Sequence, residues 1–229
     1  MSIKGAIFDM DGTILDTEPI YDEAAQKVIN EFGNGKKVVW EIKQHIIGTP
    51  SKIHSKIFVD AYEIKLTPEE FSKKRDAYLI EPFKKCKFMK GARETTHKCK
   101  YQLKLKVGIA TSSSRFNFEN KTNHLKDWLK EDIDKIITGD DKRIKEGKPA
   151  PDIFIIAAKE LNLEPQECII FEDALSGITA AIKSGARIVV AIPDPRQRKD
   201  VEKIVYDKNK TKLVILNSMD EFDFNLTSS

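Results

Sequence analysis

What this chain has little of excludes several classes of protein at once. Cysteine is scarce: Cys86, Cys99 and Cys168 cannot all pair with one another, and their spacing matches no metal-ligand set. Cys168 adjoins the apolar run Ile169-Ile170-Phe171 and reads as a small buried hydrophobe. No apolar stretch approaches membrane-spanning length, and the N-terminus enters a strand pattern without a basic-then-apolar leader, so a reducing cytoplasm is the expected setting and no membrane partner is expected. Charge of one sign is nearly absent, the net being +3 over 229 residues. Lys98, Lys100, Lys104 and Lys106 do cluster, but they alternate with Tyr101, Leu103 and Leu105 as a solvated face would, and no recognition motif accompanies them. A nucleic-acid polymer is therefore not an expected partner. Trp40 and Trp128 read as packing residues, and no internal repeat or low-complexity tract occurs.

What is present is an ordinary globular composition, 40% hydrophobic and 33% charged, long enough to bury a full core. Short β-rich runs recur between helical stretches: Ile3 to Phe8, Leu105 to Ala110, Lys135 to Thr138, Cys168 to Phe171, Arg187 to Ala191 and Leu213 to Leu216. That alternation predicts an α/β fold, a doubly wound, Rossmann-like parallel sheet with helices on both faces. One helix should open at Pro151-Asp152, and another should run from Ala174 to Ser184 and close at Gly185. Between the first two strands, residues 17–83 hold no convincing strand. Ile20, Ala24, Val28 and Phe32 mark a helix ended by Gly33-Asn34-Gly35, while Thr49-Pro50 and Thr67-Pro68-Glu69-Glu70 are helix starts, the second with a capping box. The expected organisation is thus a core of residues 1–16 and 84–229 with an all-helical cap, 17–83, inserted into it. A monomer is expected, and the Ser-rich tail from Thr227 should fray.

Four short motifs carry chemistry. Asp9-Met10-Asp11-Gly12-Thr13 follows Ala6-Ile7-Phe8, so two carboxylates one residue apart stand where a buried strand ends and can line one pocket. Such a pair suits a nucleophile, a proton carrier and a Mg²⁺ site. Thr111-Ser112-Ser113 ends a second strand with a hydroxyl and backbone N–H groups able to meet a phosphate oxygen. Lys148 is fixed between Gly147 and Pro149 just ahead of a helix, and Glu172-Asp173 is a second acidic pair at a strand end, followed by Ser176-Gly177. Hard oxygen ligands of this kind suit Mg²⁺ better than Zn²⁺. In a doubly wound sheet the three strand ends among them lie along the carboxyl edge, where ligands bind.

With these motifs together the sequence resembles the haloacid dehalogenase superfamily of phosphotransferases, in the subgroup with a helical cap after the first strand. The resemblance covers essentially the whole chain. It implies Asp9 as nucleophile, Asp11 as general acid and base, Thr111 with the Ser112 amide as phosphate binders, and Lys148 as the family's lysine. It further implies Mg²⁺ held by Asp9, the Asp11 carbonyl and Asp173, with Glu172 a nearby acid. Within the superfamily, Phe8 to Gly12, Leu15-Asp16-Thr17-Glu18, Ala110 to Ser113, Lys121-Thr122 with His124, Gly139-Asp140-Asp141, Phe171 to Ala174 and Leu216-Asn217-Ser218-Met219 look most like the pseudouridine-5′-phosphatase branch; several of these also occur in sugar- and polyol-phosphate phosphatases.

The implied reaction is hydrolysis of a small phosphate monoester through an aspartyl-phosphate, the cap excluding water and reading the leaving group. Glu18 and Tyr21 are the candidate cap contacts, although Tyr21 fits the cap's own apolar stripe equally well. His124 reads as a surface or packing residue, and His45, His54 and His97 lack a Ser or Cys partner pattern. Two rivals differ in class. Phosphosugar mutases of similar sequence carry a cap histidine where Tyr21 stands and a cap arginine where Ser51 stands, and a binding protein that had lost turnover would show a substituted catalytic position; none is substituted here.

Overall fold

A computed structural model describes residues 2–43 and 51–228. They divide into two compact units, one formed by residues 1–16 and 87–229 and the other by residues 17–86.

The first unit is built on six parallel strands: β1 (Gly5–Phe8), β4 (Lys106–Thr111), β5 (Lys135–Thr138), β6 (Cys168–Glu172), β7 (Ile188–Ala191) and β8 (Lys212–Ile215), in spatial order β5-β4-β1-β6-β7-β8. The chain first builds outward on one side of β1 and then returns to build on the other, so the strand order reverses at β1 and opens a crevice at the carboxyl edge there. Every residue of β1, β6 and β7 is buried, the signature of parallel strands covered on both faces. Strict alternation sorts their side chains. Ile7, Ile170 and Val189 join a core completed by Phe154, Ala157 and Leu161 of α8 (Asp152–Glu160) and by Ile178 and Ala181 of α9 (Leu175–Ser184). On the opposite face Phe8 stacks on Phe171, ring centroids 4.4 Å apart, and Phe222 meets Phe171 edge-on at 5.3 Å. The six expected strands are all present, each within two residues of its predicted bounds, and α9 ends at Gly185 as its C-cap predicts.

A second, two-stranded sheet was not foreseen: Leu15–Asp16 (β2) pairs antiparallel with Lys87–Phe88 (β3), register Leu15↔Phe88 and Asp16↔Lys87. Strands of two residues leave no periodicity to read. The tail also departs from expectation. Phe224–Ser228 forms a 3₁₀ turn in which Thr227 Oγ1 donates to the Phe224 carbonyl at 2.8 Å, and the ring of Phe224 lies 3.9 Å beneath the Lys98 ammonium. The basic cluster is spent locally too: Lys106 donates to the Leu161 carbonyl at 2.7 Å and Lys100 pairs with Asp134.

The second unit is helical, with α1 (Glu18–Phe32), α2 (Trp40–Lys43), α3 (Ser51–Ala61) and α4 (Pro68–Phe83). Ala25, Val28 and Ile29 of α1 meet Phe58, Tyr62 and Phe71 in its core, and Phe58 stacks on Phe71 with centroids 5.4 Å apart. The Thr67 capping box forms as expected, Thr67 Oγ1 accepting from Glu70 N at 3.2 Å and Glu70 Oε2 accepting from Thr67 N at 2.8 Å. The predicted start at Thr49-Pro50 lies outside the described residues. Among the described residues no helix is long and apolar enough to cross a membrane.

Candidate active site at the carboxyl edge of the sheet

Three of the four motifs arrive at the site because their strands stop there. Phe8 and Phe171 are in register, and the ladder continues one step further through a bond from Asp9 N to the Phe171 carbonyl at 3.0 Å. Asp9 therefore emerges beside Glu172, with Asp173 next along the chain. β4 ends at Thr111 on the other side of β1, and β1 and β4 are likewise in register.

Lys148 enters from the loop before α8 and joins these ends. Its ammonium, almost wholly buried, donates to Asp9 Oδ1, to Glu172 Oε1 at 2.8 Å and to the Ala110 carbonyl at 3.3 Å. The ring of Phe154, its centroid 4.9 Å away, shields it from below. Burial by itself would favour the neutral amine, but Asp9 and Glu172 outweigh it and hold the ammonium above the ordinary lysine value. Burial pushes Asp9 the other way, up to about 7; Lys148 opposes that rise, while Glu172 and Asp11 add to it. Lys148 thus moves as an ion pair would move it, whereas Asp9 moves against its partner, first because burial penalises its charged form and then because Glu172 and Asp11 stand near it.

Glu172 is seated as firmly as the lysine it holds. It is 1% exposed, and its second oxygen accepts from Ala174 N at 2.8 Å. It lies directly over Gly177, where a Cβ would fall 1.6 Å from Oε1. Gly12 makes a similar allowance for the other acid. Its φ of +83° turns the chain after β1, and a Cβ there would sit 2.3 Å from Asp173 Oδ2, while Thr13 Oγ1 donates to Asp173 Oδ1 at 2.7 Å.

Asp11 has its own cation. Lys121, on α6 (Arg115–Thr122), is completely buried and donates to Asp11 Oδ1 at 2.5 Å and to Ser113 Oγ at 2.8 Å; Ser113 Oγ in turn donates to Asp11 Oδ2 at 2.9 Å. Neither Lys121 nor Ser113 was picked out as a site residue from sequence. A signal existed: Phe118, Lys121 and Thr122 follow helical i, i+3, i+4 spacing, and all three are buried, so a lysine stood on an inward helix face. Thr111, also buried, accepts from Ser113 N at 3.1 Å, which leaves its own hydroxyl proton for another acceptor, whereas Ser112 beside it is exposed. Asp140 pins the same loop, accepting from Arg115 N at 3.0 Å and from Thr138 Oγ1 at 2.7 Å; the Thr138 hydroxyl and then the Arg115 amide hold its carboxyl below the usual range.

Asp9, Asp11, Thr111, Lys148, Glu172 and Asp173 are thus brought to one edge of one sheet. Glu18 and Tyr21 belong to the helical unit, where Glu18 pairs with Lys43 at 2.8 Å and Tyr21 meets Phe83 edge-on at 5.4 Å. His54, in the same unit, is pushed down to about 3 by burial and then by Arg75 and Lys43, and it stacks on Phe58.

Asp9, Asp11, Glu172 and Asp173 offer only oxygen donors along this edge, a chemistry that fits a hard divalent cation. Among the described residues no three His, Cys, Asp or Glu side chains converge as a cage. Mg²⁺ asks for less, since it keeps several waters and is commonly held through one or two carboxylates.

The profile of the haloacid dehalogenase-like hydrolases matches residues 6–191, which span every element of this edge. The chain belongs to that family. It is 36% identical over 206 residues to a probable pseudouridine-5′-phosphatase of Saccharomyces cerevisiae, covering 85% of this chain and 84% of the yeast protein. It is 34% identical over 200 residues to (DL)-glycerol-3-phosphatase 2 of Arabidopsis thaliana, covering 85% and 81%. A family hydrolase crystal structure from Entamoeba histolytica superimposes with a TM-score of 0.78 at 23% identity, covering 98% of this chain and 97% of that one, a likeness of fold. This haloacid dehalogenase-like hydrolase is a phosphatase.

Gly177→Ala tests the seat beneath Glu172. The added methyl drives the carboxylate off Lys148, and turnover of an aryl phosphate is expected to fall at least about tenfold, a modest share of what one misplaced charge costs a transition state. Unchanged turnover with an unchanged melting temperature would mean that Glu172 finds another position at no cost.

Proposed function

We propose that the protein is a Mg²⁺-dependent phosphate monoester hydrolase that works through an aspartyl-phosphate on Asp9. The observation that carries the reading is the Lys148 bridge. It fixes one oxygen of a buried carboxylate, leaving the other to act on an incoming dianion whose charge the same ammonium offsets.

Asp9 attacks phosphorus in line with the departing oxygen, so that the new bond to Asp9 forms as the ester bond breaks. Asp11 gives its proton to that oxygen. In the second step water attacks phosphorus, Asp11 takes its proton, and the bond to Asp9 breaks, since an acid in one step must serve as base in the next. Thr111, its proton uncommitted to Ser113, is placed to donate to a phosphoryl oxygen, with the Ser112 amide beside it. Asp9, the Asp11 carbonyl and Asp173 would hold the metal. Mg²⁺ there would supply positive charge that eases the approach of two anions. Glu172, both of whose oxygens already accept from protein donors, acts by holding Lys148 rather than as a direct ligand.

For substrate we propose pseudouridine 5′-phosphate or a related nucleotide, supported by the motif pattern and by the yeast relative. The similarity to an Arabidopsis glycerol-3-phosphatase supports a second reading, a polyol phosphate.

Asp9→Asn should abolish turnover with the fold intact, because the amide keeps the shape and loses the nucleophile; activity within about tenfold of the parent would remove Asp9 from the role. Asp173→Asn should raise the Mg²⁺ concentration for half-maximal activity on the order of tenfold or more, through loss of an anionic ligand. An unshifted Mg²⁺ titration would place the metal elsewhere. Steady-state kinetics compare the two substrate readings: kcat/KM for pseudouridine 5′-phosphate is expected to exceed that for glycerol 3-phosphate and hexose 6-phosphates. The reverse order would withdraw the nucleotide.

A further inference from the structure

We infer that Lys121, acting with Ser113, is the positioning residue that aims the Asp11 carboxyl group at the leaving-group oxygen; the inference rests on the acid–base role proposed for Asp11.

The three groups form a closed ring. Lys121 Nζ donates to Asp11 Oδ1 at 2.5 Å and to Ser113 Oγ at 2.8 Å, and because that hydroxyl accepts from the ammonium, its own proton goes to Asp11 Oδ2 at 2.9 Å. A carboxyl group fixed through both oxygens cannot spin about its terminal torsion, which is otherwise broad and two-fold. The lysine side chain is wholly buried, whereas that of Asp11 is 23% exposed, so the ring grips the acid from the protein side and leaves its outer face toward solvent. Lys148 cannot do the same work, because its ammonium is engaged by Asp9 and Glu172.

Stability does not explain a charge at position 121. Burying an ammonium is costly, and replacement of a buried ion pair by apolar side chains of similar volume is often neutral or stabilising. Geometry does explain it. With Oδ1 tied to Lys121, Oδ2 is the oxygen that exchanges protons: it releases one to the departing oxygen as the P–O ester bond breaks, and receives one from water as the bond to Asp9 breaks. Between these events Oδ2 is an anion, and the Ser113 hydroxyl serves it as donor. The bond from Ser113 Oγ to Asp11 Oδ2 suits that anionic state.

The test uses leaving groups. A p-nitrophenolate leaves without help, while an alkoxide needs the proton, and kcat/KM reports steps only as far as phosphoenzyme formation. In Lys121→Met, kcat/KM for a primary alkyl phosphate the enzyme turns over, pseudouridine 5′-phosphate or glycerol 3-phosphate, should fall at least about thirtyfold, toward the lower end of a general acid's contribution. For p-nitrophenyl phosphate it should stay within about threefold, and Lys121→Arg should restore most of the alkyl activity. Equal losses on both esters, or none, overturn the inference. Asp11→Asn run in parallel separates the two readings: if it loses both esters equally, the acid–base role itself fails, whereas a selective loss in Asp11→Asn without one in Lys121→Met removes Lys121 alone. Should Lys121→Met not fold by circular dichroism, Ser113→Ala decides, a selective alkyl loss supporting the ring and an equal or absent loss overturning it.

Discussion

The site depends on one buried cation shared between two carboxylates. Lys148 reaches Asp9 and Glu172 from a loop far away in sequence, and it ties together the ends of β1 and β6 with an element that belongs to neither. Removing Lys148 would leave two carboxylates facing one another in a low-dielectric place, which is far more damaging than losing an exposed pair. The supporting arrangement follows from that constraint. Gly177 must lack a side chain for Glu172 to lie where it does, Ala174 N must point back at the carboxylate, and Phe154 must cover the ammonium from beneath.

A second cation repeats the logic a few ångströms along the edge. Lys121 serves Asp11 as Lys148 serves Asp9, the first from α6 and the second from the loop before α8. Assigning each aspartate its own lysine lets two carboxylates one residue apart differ in environment, and therefore in chemistry. Asp9 is enclosed and anchored by one oxygen; Asp11 is anchored by both and open on one side. Divergent surroundings for paired acids are how a single site holds both a nucleophile and a proton carrier.

Most of this was legible in the sequence because it is carried by strand ends. An apolar run that stops at an acid, as Ile7-Phe8-Asp9 and Ile170-Phe171-Glu172 do, announces both the strand and the residue it delivers. The switch-point rule then places those ends side by side. What escaped notice has the opposite character. Lys121 sits in a predominantly polar helix, where its inward direction shows only if the helical phase is read from Phe118 and Thr122. Ser113 was overshadowed by the hydroxyls before it in the same loop. The bond from Glu172 to Ala174 N and its seat on Gly177 are contacts at atomic range, invisible to spacing. Two-residue strands fall below any periodicity, and the tail is held by Phe224, an aromatic anchor within a polar stretch.

The small pairing of Leu15–Asp16 with Lys87–Phe88 has a consequence of its own. It joins the two points where the chain departs from the sheet unit and comes back, so that unit meets the intervening seventy residues as a loop whose mouth is already sewn shut. Once a loop's ends are fixed, its length matters little: each doubling adds only about 0.6 kcal/mol of closure entropy. Whatever lies beyond the seam can therefore be lengthened, trimmed or exchanged for another module with scarcely any penalty to the sheet. Such a seam allows one half of a catalyst to drift through generations while the other half keeps its chemistry.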